Sequence, residues 1–172
     1  MATSEIGFDL QDRVDPASNA PGTTTGASAA AATSNTFQTR FFTLDFDQST
    51  DECTSWEFMV PSNYSSGGTC IIDWFATPTS GNVIWKVSAY VATASSSDID
   101  TSAAFNAPDL SAATAVPSTS GQFKQTSIAL TSPGFSANKW AIVMLGRDAD
   151  AGGDTAAGDA RVIAFTLQYT ST

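Results

Sequence analysis

From Thr36 onward, apolar and polar positions alternate with a period of two, the mark of strands with one face on a core. Phe42, Leu44 and Phe46 alternate with Phe41, Thr43 and Asp45. Trp56, Phe58 and Val60 alternate with Ser55, Glu57 and Met59. Cys70, Ile72 and Trp74 alternate with Ile71, Asp73 and Phe75. The longest run sets Val83, Trp85, Val87, Ala89 and Val91 against Ile84, Lys86, Ser88 and Tyr90. Later come Thr126, Ile128 and Leu130. Trp140, Ile142 and Met144 stand opposite Ala141, Val143 and Leu145, and Ile163, Phe165, Leu167 and Tyr169 follow. Turn signals separate these runs, at 61–68, 77–82, 118–121 and 131–134. One helical candidate, 98–105, has an acidic residue placed to cap a turn or two, and 106–117 reads as loop or edge strand. Such a pattern, without βαβ rhythm, predicts an all-β fold, an antiparallel two-sheet sandwich. A jelly roll fits best, because the crossover 98–117 is too long for a hairpin. An immunoglobulin-like sandwich is the alternative.

Residues 1–36 differ. The stretch 19–34 consists almost wholly of small residues and has little to bury. Ahead of it, Ile6, Phe8, Leu10 and Val14 stand among acids. Ile6, Phe8 and Leu10 alternate as a strand added to a partner's sheet edge would; a disordered tail is the other reading. The chain therefore divides into an extended N-terminal arm, 1–36, and a β-sandwich domain, 37–172.

Charge narrows the function. The chain carries 17 Asp and Glu against 7 Lys and Arg, a formal net charge of −10, and no histidine. A nucleic-acid partner calls for clustered cations, as does an anionic membrane surface, so neither is expected. Without histidine there is no Ser-His-Asp or Cys-His nucleophile pair. Two cysteines exclude a four-thiolate zinc site within one chain. Cys53 and Cys70 bond only if their strands are neighbours with suitable Cβ geometry; free thiols are expected in a reducing cytoplasm. Residues 1–10 lack the basic start and apolar run of an export leader, and no stretch approaches the ~20 apolar residues of a membrane span. Synthesis as a soluble intracellular chain is the expectation.

The candidate chemistry is acidic. Asp148, Asp150, Gly153, Asp154 and Asp159 follow an EF-hand-like spacing, which makes Asp148, Asp150, Asp154 and Asp159 candidate calcium ligands. A glycine at the fifth ligand position, a short final acid and flanking strands favour a solvated loop instead. Apart from calcium, no cofactor is expected. Arg147 and Arg161 bracket this loop, placed to pair with its acids or across a subunit interface. A second acidic group, Asp45, Asp47, Asp51 and Glu52, reads as a solvated connection rather than a hydrolytic pair. Trp56, Trp74, Trp85 and Trp140 lie on strand faces with aliphatic residues and read as packing rather than a sugar platform. Trp74 and Phe75 are strand neighbours, so one must leave the core. With Ile71, Met59 and Tyr90 it forms a candidate apolar contact patch.

The strand region, 41–169, resembles a group of small jelly-roll virion proteins of tailed bacteriophages. The likeness rests on the Trp56-Glu-Phe-Met-Val-Pro61 strand, the Val83-Ile-Trp85 strand, the Asp100 to Phe105 turn, and the closing pattern Arg147-Asp148, Asp154-Thr155, Asp159-Ala160-Arg161-Val-Ile163 and Tyr169. The resemblance implies no enzyme. It implies a homotrimeric capsid decoration (cement) protein, head fibre or tail appendage, located on the virion and bound to the major capsid protein or another virion protein. Ile6, Phe8, Leu10, Phe75, Arg147 and Arg161 are then candidate interface residues. The alternative is a tail-fibre or receptor-binding module for a host surface glycan, with Tyr64 and Phe135 as candidate loop contacts.

Overall fold

A computed structural model describes residues 1–25, 42–99 and 105–172. The described residues form twelve strands and no helix. Of the predicted helical turn 98–105, residues 100–104 lie outside them. The strands are β1 (Ala2–Phe8), β2 (Gly22–Thr25), β3 (Phe42–Phe46), β4 (Cys53–Met59), β5 (Tyr64–Ala76), β6 (Asn82–Val83), β7 (Trp85–Val91), β8 (Asp109–Leu110), β9 (Thr114–Ala115), β10 (Lys124–Ala129), β11 (Trp140–Arg147) and β12 (Ala160–Ser171). All named pairings are antiparallel. One sheet runs β10-β5-β12-β3-β2, with β1 also on β12; the other runs β4-β11-β7-β8; β6 and β9 form a short ribbon. The predicted jelly-roll sandwich is the observed architecture.

The facing sides close over one core. Leu44, Phe46, Ile72, Trp74, Val162 and Phe165 of the larger sheet meet Trp56, Trp85, Val87, Ala141, Val143 and Leu145 of the smaller. Trp74 and Trp85 meet edge to face at 5.7 Å, and Phe46 meets Trp85 at 5.2 Å. The buried Trp74 indole donates to Thr126 Oγ1 at 2.9 Å, so burial leaves no orphan donor there. In β12 a bulge between Val162 and Ala164 shifts the phase. Val162, not the expected Ile163, is the buried residue, while Phe165, Leu167 and Tyr169 point inward as the alternation predicts.

The structure corrects the picture of residues 1–36 as an arm standing apart from the domain, as far as Thr25. β1 pairs residue for residue along this chain's own β12, from Ala2 opposite Ser171 to Phe8 opposite Phe165. Its inward side chains enter the core: Phe8 stacks on Phe165 at 5.3 Å and meets Phe58 at 5.5 Å, and Leu10 is buried. Beyond β1 the chain crosses to the other sheet. Val14 bridges Ser55 beside β4, Asn19 accepts from the Cys53 amide, and β2 returns to β3. Low side-chain content does not prevent this return, because the β2 pairing is made by backbone groups. Residues 26–36 of the predicted arm lie outside the described residues.

Cys53 and Cys70 are both free. Cys53 sits on the outer side of β4, in the smaller sheet, while Cys70 points into the core from β5, in the larger. Burial pushes the Cys70 thiol up to about 12.

Candidate functional site

The acidic loop between β11 and β12 is built around a buried ion pair. Arg147 ends β11 with its side chain pointing inward and 0 % exposed. Its Nε and Nη2 donate to the two Asp154 oxygens at 3.0 and 2.7 Å. Nη1 donates to the carbonyls of Phe46 and Gly158, and Nη2 also to that of Ala156. All five guanidinium donors are thus used, as a buried arginine requires. Asp154, also 0 % exposed in its side chain, accepts from the Ile84 amide as well. The arrangement ties β3, the β6–β7 turn and the loop together. Gly81 (φ +95°), in the connection just before β6, lies so close to the loop that an added Cβ would lie 2.5 Å from the Thr155 carbonyl.

The four predicted calcium ligands therefore do not converge. Asp154 is committed to Arg147. Asp148 meets Asp51 and the exposed Asp150, and the ligand oxygens of these three lie within 4.8 Å of one another. Lys86 already serves this group, donating to Asp148 at 3.0 Å and to Asp51. A divalent ion would have to displace that ammonium, so the donor set does not fit calcium. Burial would lower the Lys86 ammonium, but its hydrogen bonds to Asp51 and Asp148 hold it above its usual range.

Asp159 lies apart, facing the second acidic group. Burial and the charges of Asp47 and Asp45 raise its carboxyl; burial and the charges of Asp47 and Asp159 raise that of Glu52. Raised carboxyls keep their protons in the folded state at a pH where the unfolded chain has released them. Their contribution to stability is therefore lost as pH rises from the ordinary values, 3.8 and 4.5, through the raised ones. The melting temperature is expected to increase on acidification from neutral toward that range, and Glu52→Gln to flatten the increase. A steady fall from neutral pH would contradict this. Below 3.8 the trend reverses, because Asp47, held low by its bonds from Ser49 and Thr50, takes up its proton.

The predicted interface residues scatter. Ile6, Phe8 and Leu10 are spent on this chain's core, and Arg147 on the buried pair. Arg161 Nε lies 3.5 Å from Asp45, and its guanidinium sits 5.9 Å over Phe75. Phe75 is the member of the Trp74-Phe75 pair that leaves the core, on the outer face of the larger sheet, yet it is only 8 % exposed. Met59 and Tyr90 stand on the outer face of the other sheet, so the expected single patch is two faces. The four tryptophans divide as well. Trp56, Trp74 and Trp85 are buried, whereas Trp140 is half-buried on the outer face of the smaller sheet. There Tyr90 stands 6.3 Å from Trp140 and 6.4 Å from Phe105. Ile142, Met144, Met59 and Val14 extend the apolar surface, and Val14 and Met59 are half exposed or more.

A cleft of about 380 Å³ opens where the two sheets' free edges meet. One wall is the segment 106–109, laid along the edge of β7 by the Asn106 amide's bond to the Ala89 carbonyl. The other is the turn after β10. Asp109 accepts from the Thr131 amide at 2.9 Å and from the Thr131 hydroxyl, and Asn106 Nδ2 donates to the Ser132 carbonyl at 2.6 Å. Ala89 and Leu130 supply apolar floor, and Pro108 and Pro133 line the cleft too. Alternation could not reveal this site. Its available signals were two proline-bearing segments, Asn106-Ala-Pro108 and Thr131-Ser-Pro133. Tyr64 and Phe135, the loop aromatics expected to meet a glycan, pack on each other at 6.1 Å, and Phe135 is buried.

No family model and no curated protein matches the chain. Solved structures do. A family 35 carbohydrate-binding module from Clostridium thermocellum superposes with TM-score 0.51 at 11% identity, covering 95% of this chain and 97% of that one. A CBM35 from Cellvibrio japonicus Abf62 gives 0.47 at 9%, covering 98% and 99%. The enzymatically active domain of a bacteriophage CBA120 tailspike gives 0.38 at 12%, covering 96% of this chain and 19% of that one. At these identities the likeness to the Clostridium module is one of fold. The chain is a jelly-roll β-sandwich of the architecture that module has.

Proposed function

We propose that this domain is a non-catalytic carbohydrate-binding module, carried on a virion as a tail-fibre or receptor-binding part, that holds a glycan in the cleft between the sheet edges. The observation that carries the reading is the cleft's lining. Fixed polar groups from Asn106, Asp109, Thr131 and Ser132 stand over the apolar surface of Ala89 and Leu130. Sugars present hydroxyls and C–H faces together, and such a mixed site meets both. Hydrolysis is not part of the reading. Glycosidases of the usual kind need two carboxyl groups flanking the bond about 5–10 Å apart, and among the described residues Asp109 is the one carboxylate that lines the cleft. Titrating isotope-labelled protein with a panel of oligosaccharides, and following the amide signals of Asn106, Ala107, Asp109, Leu130, Thr131 and Ser132, tests it.

A second reading, a homotrimeric capsid decoration protein bound to a shell protein, is favoured by the outer face of the smaller sheet. Trp140, Tyr90, Ile142, Met144 and Met59 have the aromatic and methionine content of protein contacts. A stable trimer by light scattering, with no response to any sugar, would favour this reading over the first.

A further inference from the structure

We propose that the cleft selects an uncharged sugar through a vicinal diol, with the Asp109 carboxylate accepting both hydroxyls; this rests on the carbohydrate reading above. A carboxylate offers about four acceptor positions on its two oxygens. Thr131 occupies one on each, its amide on Oδ2 and its hydroxyl on Oδ1. These bonds fix the plane of Asp109 and leave one position on each oxygen. Two adjacent sugar hydroxyls match such a pair without further ordering of the side chain.

Most neighbouring groups offer acceptors. Asn106 Nδ2 gives one of its two hydrogens to the Ser132 carbonyl, and the amide oxygen beside it is an acceptor. The Thr131 hydroxyl spends its proton on Asp109 and can only accept. A lining in which the carboxylate and these acceptors outnumber the donors favours a ligand that donates. Uronate, sulfate and phosphate groups bring acceptors and negative charge to a cleft that no Lys or Arg lines among the described residues, on a chain of net charge −10. A neutral glycan meets neither penalty, and its binding is insensitive to salt, because no ion pair is screened.

The test is a glycan microarray carrying neutral gluco-, galacto- and manno-oligosaccharides beside uronate-bearing and sulfated ones, read at low and high salt. The wild-type chain is expected to bind neutral glycans equally at both. Asp109→Asn, which converts one acceptor oxygen into a donor, is expected to bind about tenfold more weakly or worse. Because this change also touches the Thr131 tie, Ser132→Tyr is the companion variant. It fills the cleft from an exposed position, leaves the Asp109–Thr131 pair in place, and should abolish binding. Preference for acidic glycans with loss at high salt would overturn the selectivity and leave the carbohydrate reading standing. So would full binding by a folded Asp109→Asn. Full binding by Ser132→Tyr would overturn the cleft as the site. No binding to any glycan would overturn both.

Discussion

Removing residues 1–10 is expected to unfold the domain. The segment supplies a seven-residue strand on β12 and places Ile6, Phe8 and Leu10 against the core. Each such side chain contributes about 1.5–3 kcal/mol when fully buried, so even partial burial of the three accounts for several kcal/mol, against a total of about 5–15 kcal/mol for a typical domain. The loss also uncovers Phe165 and Trp56. The Trp56 indole would lose the Asp9 carbonyl, to which it donates at 2.7 Å. Circular dichroism and a thermal melt of the truncated chain decide the matter. The expected result is no cooperative transition, or one lowered by tens of degrees. A melt within a few degrees of the full chain would mean that residues 1–10 are a detachable arm after all.

The second large effect is expected at Arg147. Arg147→Met leaves the Asp154 carboxylate buried without its cation and three carbonyls without a donor. Asp154→Asn leaves the guanidinium without its counter-charge. Breaking a buried pair by removing one partner costs about 3–5 kcal/mol, a melting-temperature drop of about 10 °C or more in a chain of this size. Replacing both, as Arg147→Met with Asp154→Leu, is expected to cost less than the two single changes summed, because no charge is then stranded. Single variants that melt within two or three degrees of wild type would show that solvent reaches the pair. Lys86→Met is the contrasting change. Its partners are partly exposed, and such pairs contribute about 1 kcal/mol or less.

These two sites also show what the sequence could and could not reveal. Strands β3, β5, β7 and β10 were legible because their core faces are apolar and their outer faces more polar. In β11 both faces are apolar, so alternation marked a strand without showing that Ala141, Val143 and Leu145 point inward. The start of β5, at Tyr64–Gly68, read as turn because serines and glycines fill it, yet it pairs with β12 near its end. β1 was legible as a strand but not its partner, which lies about 160 positions later in the chain. β2 carries no alternation, and its pairing with β3 is made by backbone groups. Arg147 and Asp154 were visible as opposite charges in an acidic loop, but composition suggested a solvated loop where the structure has a wholly buried pair. The cleft was illegible for the plainest reason: 106–109 and 130–133 meet only once both sheets have formed.

The central claim is that the cleft between the sheet edges holds a glycan. The most direct measurement is a chemical-shift titration of the labelled full chain with neutral oligosaccharides. The account predicts saturable shifts at the amides of Asn106, Ala107, Asp109, Thr131 and Ser132, with Tyr90, Ile142 and Met144 on the outer sheet face unmoved. Shifts confined to that outer face, or none with any sugar, would contradict it.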